Sequence, residues 1–256
     1  MDAATLLAIA AAGALASPIG GALSLWMRPG TLSLSIAVGF AAGSLLGAFA
    51  FEMLPRAAEV ASMPVAVGGF ALGFAAVYVL DLLVRGTSAG EKAAQSGWVR
   101  SSRHRRKKRG DGVTVLAGGT SAEELIEGLT IGVSAATEPS LGLIVGLAIV
   151  IDNLGEGLSI GDLIREQGGE HQARRILGWT GVIGAGLFVS SLAGWFFLRG
   201  LSPGALGLLL AAGAGAMFYL TVTELVPEAE SHHFRESSAI AAGIGLLLIF
   251  VLSNLS

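Results

Sequence analysis

Ten residues of this chain occur twice, 29 positions apart, and both copies place acidic side chains inside an apolar stretch. The first copy covers positions 123–132 and the second covers positions 152–161. Acidic side chains inside a membrane cost about 2.5–3.5 kcal/mol each on insertion scales, so they are rarely retained without a function. The matched positions hold five carboxylates and one amide, which together predict an oxygen-lined cation site: Glu123, Glu124, Glu127, Asp152, Asn153 and Glu156.

The spacing within each copy favours one shared site. Residues three or four apart lie on the same face of a helix, so Glu123 and Glu124 are each expected beside Glu127, and Asp152 beside Glu156. Such carboxylates would repel one another or take up protons, and a divalent cation relieves that repulsion. The chain has no cysteine, and its four histidines lie outside the apolar stretches, so the predicted ligands are oxygens.

The composition indicates a membrane protein. Of 256 residues, 53% are hydrophobic and 14% are charged, whereas a soluble domain carries about 25% charge. The prediction is an all-α membrane protein, a single domain over 1–256, with eight transmembrane helices in a 3+2+3 arrangement with repeat symmetry. Spans of about 20 apolar residues are predicted at about 4–27, 31–56, 63–85, 113–137, 139–164, 174–199, 203–228 and 237–255, with a basic loop at 86–112.

The distribution of positive charge predicts the orientation. Fourteen of the 16 Lys and Arg residues lie in the loops on the side of segment 86–112, and only Arg56 and Arg199 lie on the other side. Cytoplasmic loops carry the excess of basic residues. We therefore expect an integral protein of the cell membrane with both termini outside and the 86–112 loop in the cytoplasm. Its basic run is interpreted as an anchor beside anionic lipid and not as a nucleic-acid site.

A second doublet predicts a route to and from the site. It repeats a glycine, a glutamate nine positions later and a proline three positions beyond that: Gly43, Glu52 and Pro55, then Gly215, Glu224 and Pro227. The predicted spans place Glu52 at the outer mouth and Glu224 with Glu228 at the inner mouth. His232 and His233 are either a solvated loop pair or a place that receives the emerging ion. Repeats related across the membrane, with a site at mid-depth, are common among transporters.

These motifs resemble those of the ZIP family of divalent metal transporters, over nearly the whole chain. The family's fourth-helix signature is His-Asn-x-Pro-Glu-Gly, and this chain has Glu123-Glu124-Leu125-Ile126-Glu127-Gly128 in its place. The fifth-helix signature, His/Gln and Asn/Asp before x-Pro-Glu-Gly, matches 152–157. The resemblance implies that the six residues of the two copies bind a two-metal centre, with Glu127 and Glu156 as bridges. It also implies that zinc, iron or manganese is carried into the cytoplasm by a homodimer in the lipid bilayer.

Departures from the family pattern bear on the choice of metal. Glu123 stands where the family's fourth-helix signature has histidine, and Asp152 stands where the fifth-helix signature has histidine or glutamine. Ile126 and Gly155 replace the two motif prolines. Oxygen ligands favour manganese, magnesium or calcium, whereas imidazole suits zinc and iron. The sequence therefore predicts a selectivity shifted from zinc toward manganese or another hard divalent ion.

Three other functions are alternatives to divalent metal transport for this sequence. The carboxylates could instead conduct protons or monovalent cations, or the chain could be a metal-sensing membrane protein that binds without transporting. An intramembrane enzyme is not predicted, because the chain has no His-Glu-x-x-His zinc motif and no Ser–His pair within the spans.

Overall fold

The structure is a computed structural model that describes residues 3–27, 30–85, 112–168, 170–231 and 234–255. Within these ranges all regular elements are helical, which confirms the predicted all-α class. The long helices are α1 Ala3–Met27, α2 Thr31–Val60, α3 Met63–Arg85, α4 Gly112–Thr137, α5 Pro139–Gln167, α6 Gln172–Leu198, α7 Pro203–Glu230 and α8 Arg235–Ser253. The predicted basic loop, apart from Gly112, lies outside the described residues, and so do His232 and His233.

In the described part of the chain, seven of these helices are long and apolar enough to cross a membrane. This confirms an integral membrane protein. The remaining long helix, α4, has 26 residues, and its middle carries Glu123, Glu124 and Glu127. Those three carboxylates distinguish α4 from the other seven, and the count of eight membrane-spanning helices stays a prediction.

The helices pack in two groups. In the first group, α1 and α4 each pack against both α5 and α6; in the second, α2 packs against α8 and α3 packs against α7. The groups meet where α5 contacts α2 and where α4 contacts α7. The main buried core extends across these meeting surfaces and includes Met53, Ile131, Ile149 and Leu210.

Glycines next to the acidic residues bring the helices of the first group close together. A Cβ at Gly157 of α5 would meet the backbone carbonyl of Ser17 on α1, and one at Gly128 of α4 would meet Ser190 on α6. Small residues at such crossings allow backbones to approach in lipid. The acidic stretches of α4 and α5 are therefore held mainly by α6 and α1.

Helices α2 and α7 each contain one π-helical turn, at Ala48–Met53 and Thr221–Leu225. The N–H of Leu54 bonds to the carbonyl of Phe49, and the N–H of Val226 bonds to that of Thr221, each five residues back. In both helices the next residue is a proline, which has no N–H to continue the α-helical pattern. Glu52 and Glu224 lie inside these turns, which are frequent at functional sites.

Candidate metal centre

A small cavity lies between α4, α5, α7 and α2. Its volume is about 10 Å³, which is room for roughly one water-sized particle. Four of the six residues predicted from the repeated motif line it, together with apolar side chains and one threonine: Glu123, Glu127, Asp152, Glu156, Leu45, Met217, Leu220, Leu225 and Thr221. The helices thus bring together the acidic residues of both copies of the repeat.

Several polar atoms around this cavity are buried without a hydrogen-bond partner among the described residues. They include Glu127 Oε2, Asp152 Oδ2 and Thr221 Oγ1. An unsatisfied buried polar atom costs about 1–3 kcal/mol, and more if it is charged. These oxygens are therefore available to replace the water shell of a cation, which is what the chemistry of such a site requires.

The carboxylates of the two copies lie near one another. Glu156 interacts electrostatically with Asp152, Glu123, Glu124 and Glu127. As placed, no three Asp, Glu or His side chains in the described ranges form a closed metal-binding group. The acidic residues thus line the cavity without three of them converging on one point.

Glu124 and Asn153 are placed differently from the other four residues of the motif. Both are fully buried, and neither lines the small cavity. The Asn153 side-chain amide donates to Glu124 Oε2 at 3.1 Å, and the Ser17 hydroxyl donates to Glu124 Oε1 at 3.4 Å. This pair therefore ties α4 to α5 and α1 beside the cavity.

A second cavity of about 30 Å³ lies beside the first. It shares Glu123, Asp152 and Glu156 with the first cavity and adds Glu224 and Glu228. Two of the predicted pathway residues thus lie next to the acidic site.

Glu52, the residue predicted at the outer mouth, lines neither cavity. It lies near Ser253 and Glu138 instead. In the same region Arg56 forms an ion pair with Glu138 at 2.7 Å. The ion pair joins the last part of α2 to the turn between α4 and α5.

Thr221 and Ser159 were not predicted from the sequence. Thr221 lines the first cavity and Ser159 the second, and the hydroxyl of each is buried without a partner among the described residues. The one available signal was position: Thr221 lies three residues before Glu224, and Ser159 three residues after Glu156. A neutral hydroxyl in an apolar helix gives no charge signal, so the spacing alone did not identify either residue.

These features define a class: a helical membrane protein with an ion-sized cavity lined by carboxylates from two adjacent helices. A scan against protein-family models gives no match. The chain is 30% identical over 253 residues to the zinc transporter ZupT of Corynebacterium efficiens, with 94% of this chain and 92% of that protein covered. It is 30% identical over 252 residues to ZupT of Corynebacterium glutamicum, covering 93% and 94%, and over 209 residues to ZupT of Escherichia fergusonii, covering 80% and 79%.

The chain belongs to the ZIP family of divalent metal transporters. The family expected from the motifs is thereby confirmed, and the protein is a transporter and not an enzyme. These two relatives match along nearly the full length of the chain, so the matched region spans both copies of the acidic motif.

Proposed function

We propose that this protein carries a divalent metal ion across the membrane into the cytoplasm through the cavity lined by Glu123, Glu127, Asp152 and Glu156. The observation that carries the proposal is that buried carboxylate oxygens from α4 and α5 face one ion-sized space. Glu224 and Glu228 form the inner part of the route, and Glu52 belongs to the outer part.

Zinc is the first cargo we propose, because the relatives named above are zinc transporters. Manganese or iron is the second candidate. Carboxylate and hydroxyl oxygens line the cavity, and its lining contains no imidazole or thiolate. Hard oxygen ligands suit manganese better than zinc, so the ligand set and the relatives' names favour different ions.

We propose a second ion position at Glu124 and Asn153. The first cavity has room for about one particle, so a two-metal centre needs further space and ligands. Asn153 Oδ1 is buried without a partner among the described atoms, and Glu124 brings a carboxylate beside it. Filling this position requires the hydrogen bond between them to open, and Glu127 and Glu156 would bridge the two ions.

We further propose an eight-span, 3+2+3 arrangement with two-fold repeat symmetry. Exchanging α1 with α6, α2 with α7, α3 with α8 and α4 with α5 turns the most extensive observed helix contacts into one another: α1–α5 into α6–α4, and α2–α8 into α7–α3. The cavity is lined by pairs that the two repeats match, such as Leu45 and Met217. A homodimer, with both termini outside, completes the proposal.

Ion flux into proteoliposomes tests the proposal. We expect zinc uptake by the wild-type protein, and a loss of more than about tenfold in Glu127→Gln and in Glu156→Gln, because each exchange removes a charged ligand while keeping side-chain volume. Glu59→Gln is the matched control, since the Glu59 side chain is 66% exposed. Manganese, iron, sodium and proton gradients are measured with the same vesicles.

The alternatives give different results in this assay. A proton or monovalent cation pathway would show conductance or acidification that does not depend on divalent ions. A metal-sensing protein would bind zinc in detergent but show no flux in vesicles. Full zinc flux in both Glu127→Gln and Glu156→Gln would contradict the proposed site.

A further inference from the structure

Thr221 differs from other helical threonines of this protein in what its hydroxyl does. Four described threonines donate their hydroxyl to the backbone carbonyl four residues earlier, at 2.7–2.8 Å: Thr130, Thr137, Thr180 and Thr223. That internal bond is the usual way for a helical threonine to satisfy its hydroxyl. Thr221 is 1% exposed, and its Oγ1 has no hydrogen-bond partner among the described residues.

Thr221 lines the same cavity as Glu123, Glu127, Asp152 and Glu156. Helices α2 and α7 contribute the other five lining residues, which are four apolar side chains and Thr221. Among these five lining residues, Thr221 is the one with a side-chain oxygen. Thr221 is therefore the one lining residue of α2 and α7 that can offer a side-chain oxygen to this cavity.

The local backbone does not require a threonine at this position. Phe49 holds the matching place in α2. Its carbonyl accepts a hydrogen bond from the N–H of Leu54, the residue before Pro55, just as the carbonyl of Thr221 accepts one from Val226, the residue before Pro227. The π-helical turn thus forms with either side chain. Phe49 is buried and is absent from the cavity lining, so the place of Thr221 in that lining is not a consequence of the turn alone.

We propose that Thr221 is a neutral oxygen ligand of the transported ion, and that it helps to set the affinity for hard divalent cations. This inference rests on the proposed function of the cavity. Carboxylates of α4 and α5 supply more negative charge than a divalent ion neutralises, so a further carboxylate would add repulsion. A hydroxyl adds a ligand without adding charge, as the Ser/Thr hydroxyl does for Mg²⁺ in the P-loop.

The first test compares Thr221→Val and Thr221→Ser in zinc and manganese flux. Valine keeps the shape and removes the oxygen, so we expect the half-saturating ion concentration to rise by about tenfold or more, with a smaller change in the maximal rate. Serine keeps the oxygen and should stay near the wild-type value. Thr180→Val is the matched control, because Thr180 is fully buried and bonds to its own helix.

The second test uses the absence of cysteine from the chain. Thr221→Cys introduces a single thiol, whose alkylation rate reports whether an ion lies against it. We expect zinc or cadmium to slow alkylation of this thiol at least about tenfold, in line with loss of access to a metal-bound thiolate. Gly200→Cys, at an exposed turn with open space around it, should react at the same rate with and without the ion.

The outcomes separate this inference from the proposed function. Loss of flux in Glu127→Gln and Glu156→Gln, with a wild-type half-saturation in Thr221→Val and no ion protection of Thr221→Cys, would overturn the role of Thr221 alone. Full flux in the two glutamine variants would overturn both. If Thr221→Val fails to fold, ion protection of the thiol and the behaviour of Thr221→Ser decide the matter.

Discussion

Asn153 and Glu124 hold the same place in the two copies of the repeat, and their side chains hydrogen-bond to each other at 3.1 Å. The side-chain amide of the second copy therefore donates a hydrogen bond to the carboxylate of the first. Both side chains are fully buried, and a buried carboxylate needs such a partner. The repeat is thus asymmetric at this position for a physical reason, since two carboxylates there would face each other.

We expect Asn153→Asp to lower stability in the absence of metal. The exchange removes the donor to Glu124 and puts two buried carboxyl groups side by side, at a cost of about 1–3 kcal/mol or more. Zinc should raise the midpoint of thermal unfolding more in this variant than in the wild type, because the ion relieves the repulsion. The measurement is thermal unfolding in detergent with and without zinc, and an unchanged midpoint without metal would contradict the structural role of this pair.

The close approach of α5 to α1 gives a second prediction. A Cβ at Gly157 would meet the carbonyl of Ser17, and overpacking of this kind costs about 1–3 kcal/mol. Gly157→Ala should therefore lower the midpoint of thermal unfolding and reduce flux, since the same helix carries Asp152 and Glu156. Gly178→Ala on α6 is the control, because nothing lies within 4 Å of a Cβ there. Equal stability of the two variants would show that α1 and α5 separate easily.

The helices and the acidic residues could be predicted from the sequence because their signals are strong. Long apolar stretches that begin at Pro139 or Pro203 predict helices, and carboxylates within them stand out by their cost in a membrane. Side-chain direction within a helix was harder to predict. Glu123 and Glu124 are neighbours in sequence, yet Glu123 lines the cavity and Glu124 bonds to Asn153. Thr221 carries no charge, so only the structure indicates its place in the site.

Replacing one carboxylate of the cavity with imidazole should change the choice of metal. Glu123→His places a nitrogen ligand among oxygens, and imidazole suits zinc whereas carboxylates suit manganese. We expect the ratio of zinc to manganese uptake to rise several-fold over the wild-type ratio. Glu59→His is the control, because the Glu59 side chain is 66% exposed and lines neither cavity. That variant should keep the wild-type ratio.

The proline after the π-helical turn of α7 gives the last prediction. Pro227→Ala supplies the missing N–H, which favours an ordinary α-helical turn and relieves a cost of about 3 kcal/mol for proline inside a helix. The backbone at Thr221 would rotate, and its hydroxyl would leave the cavity. We expect a protein that is at least as stable as the wild type but has a higher half-saturating zinc concentration. Pro55→Ala makes the same change in α2, where Phe49 holds the matching place and does not line the cavity, so its effect on zinc should be smaller. Equal increases in the two variants would indicate that the π-helical turns act on transport by a route other than Thr221.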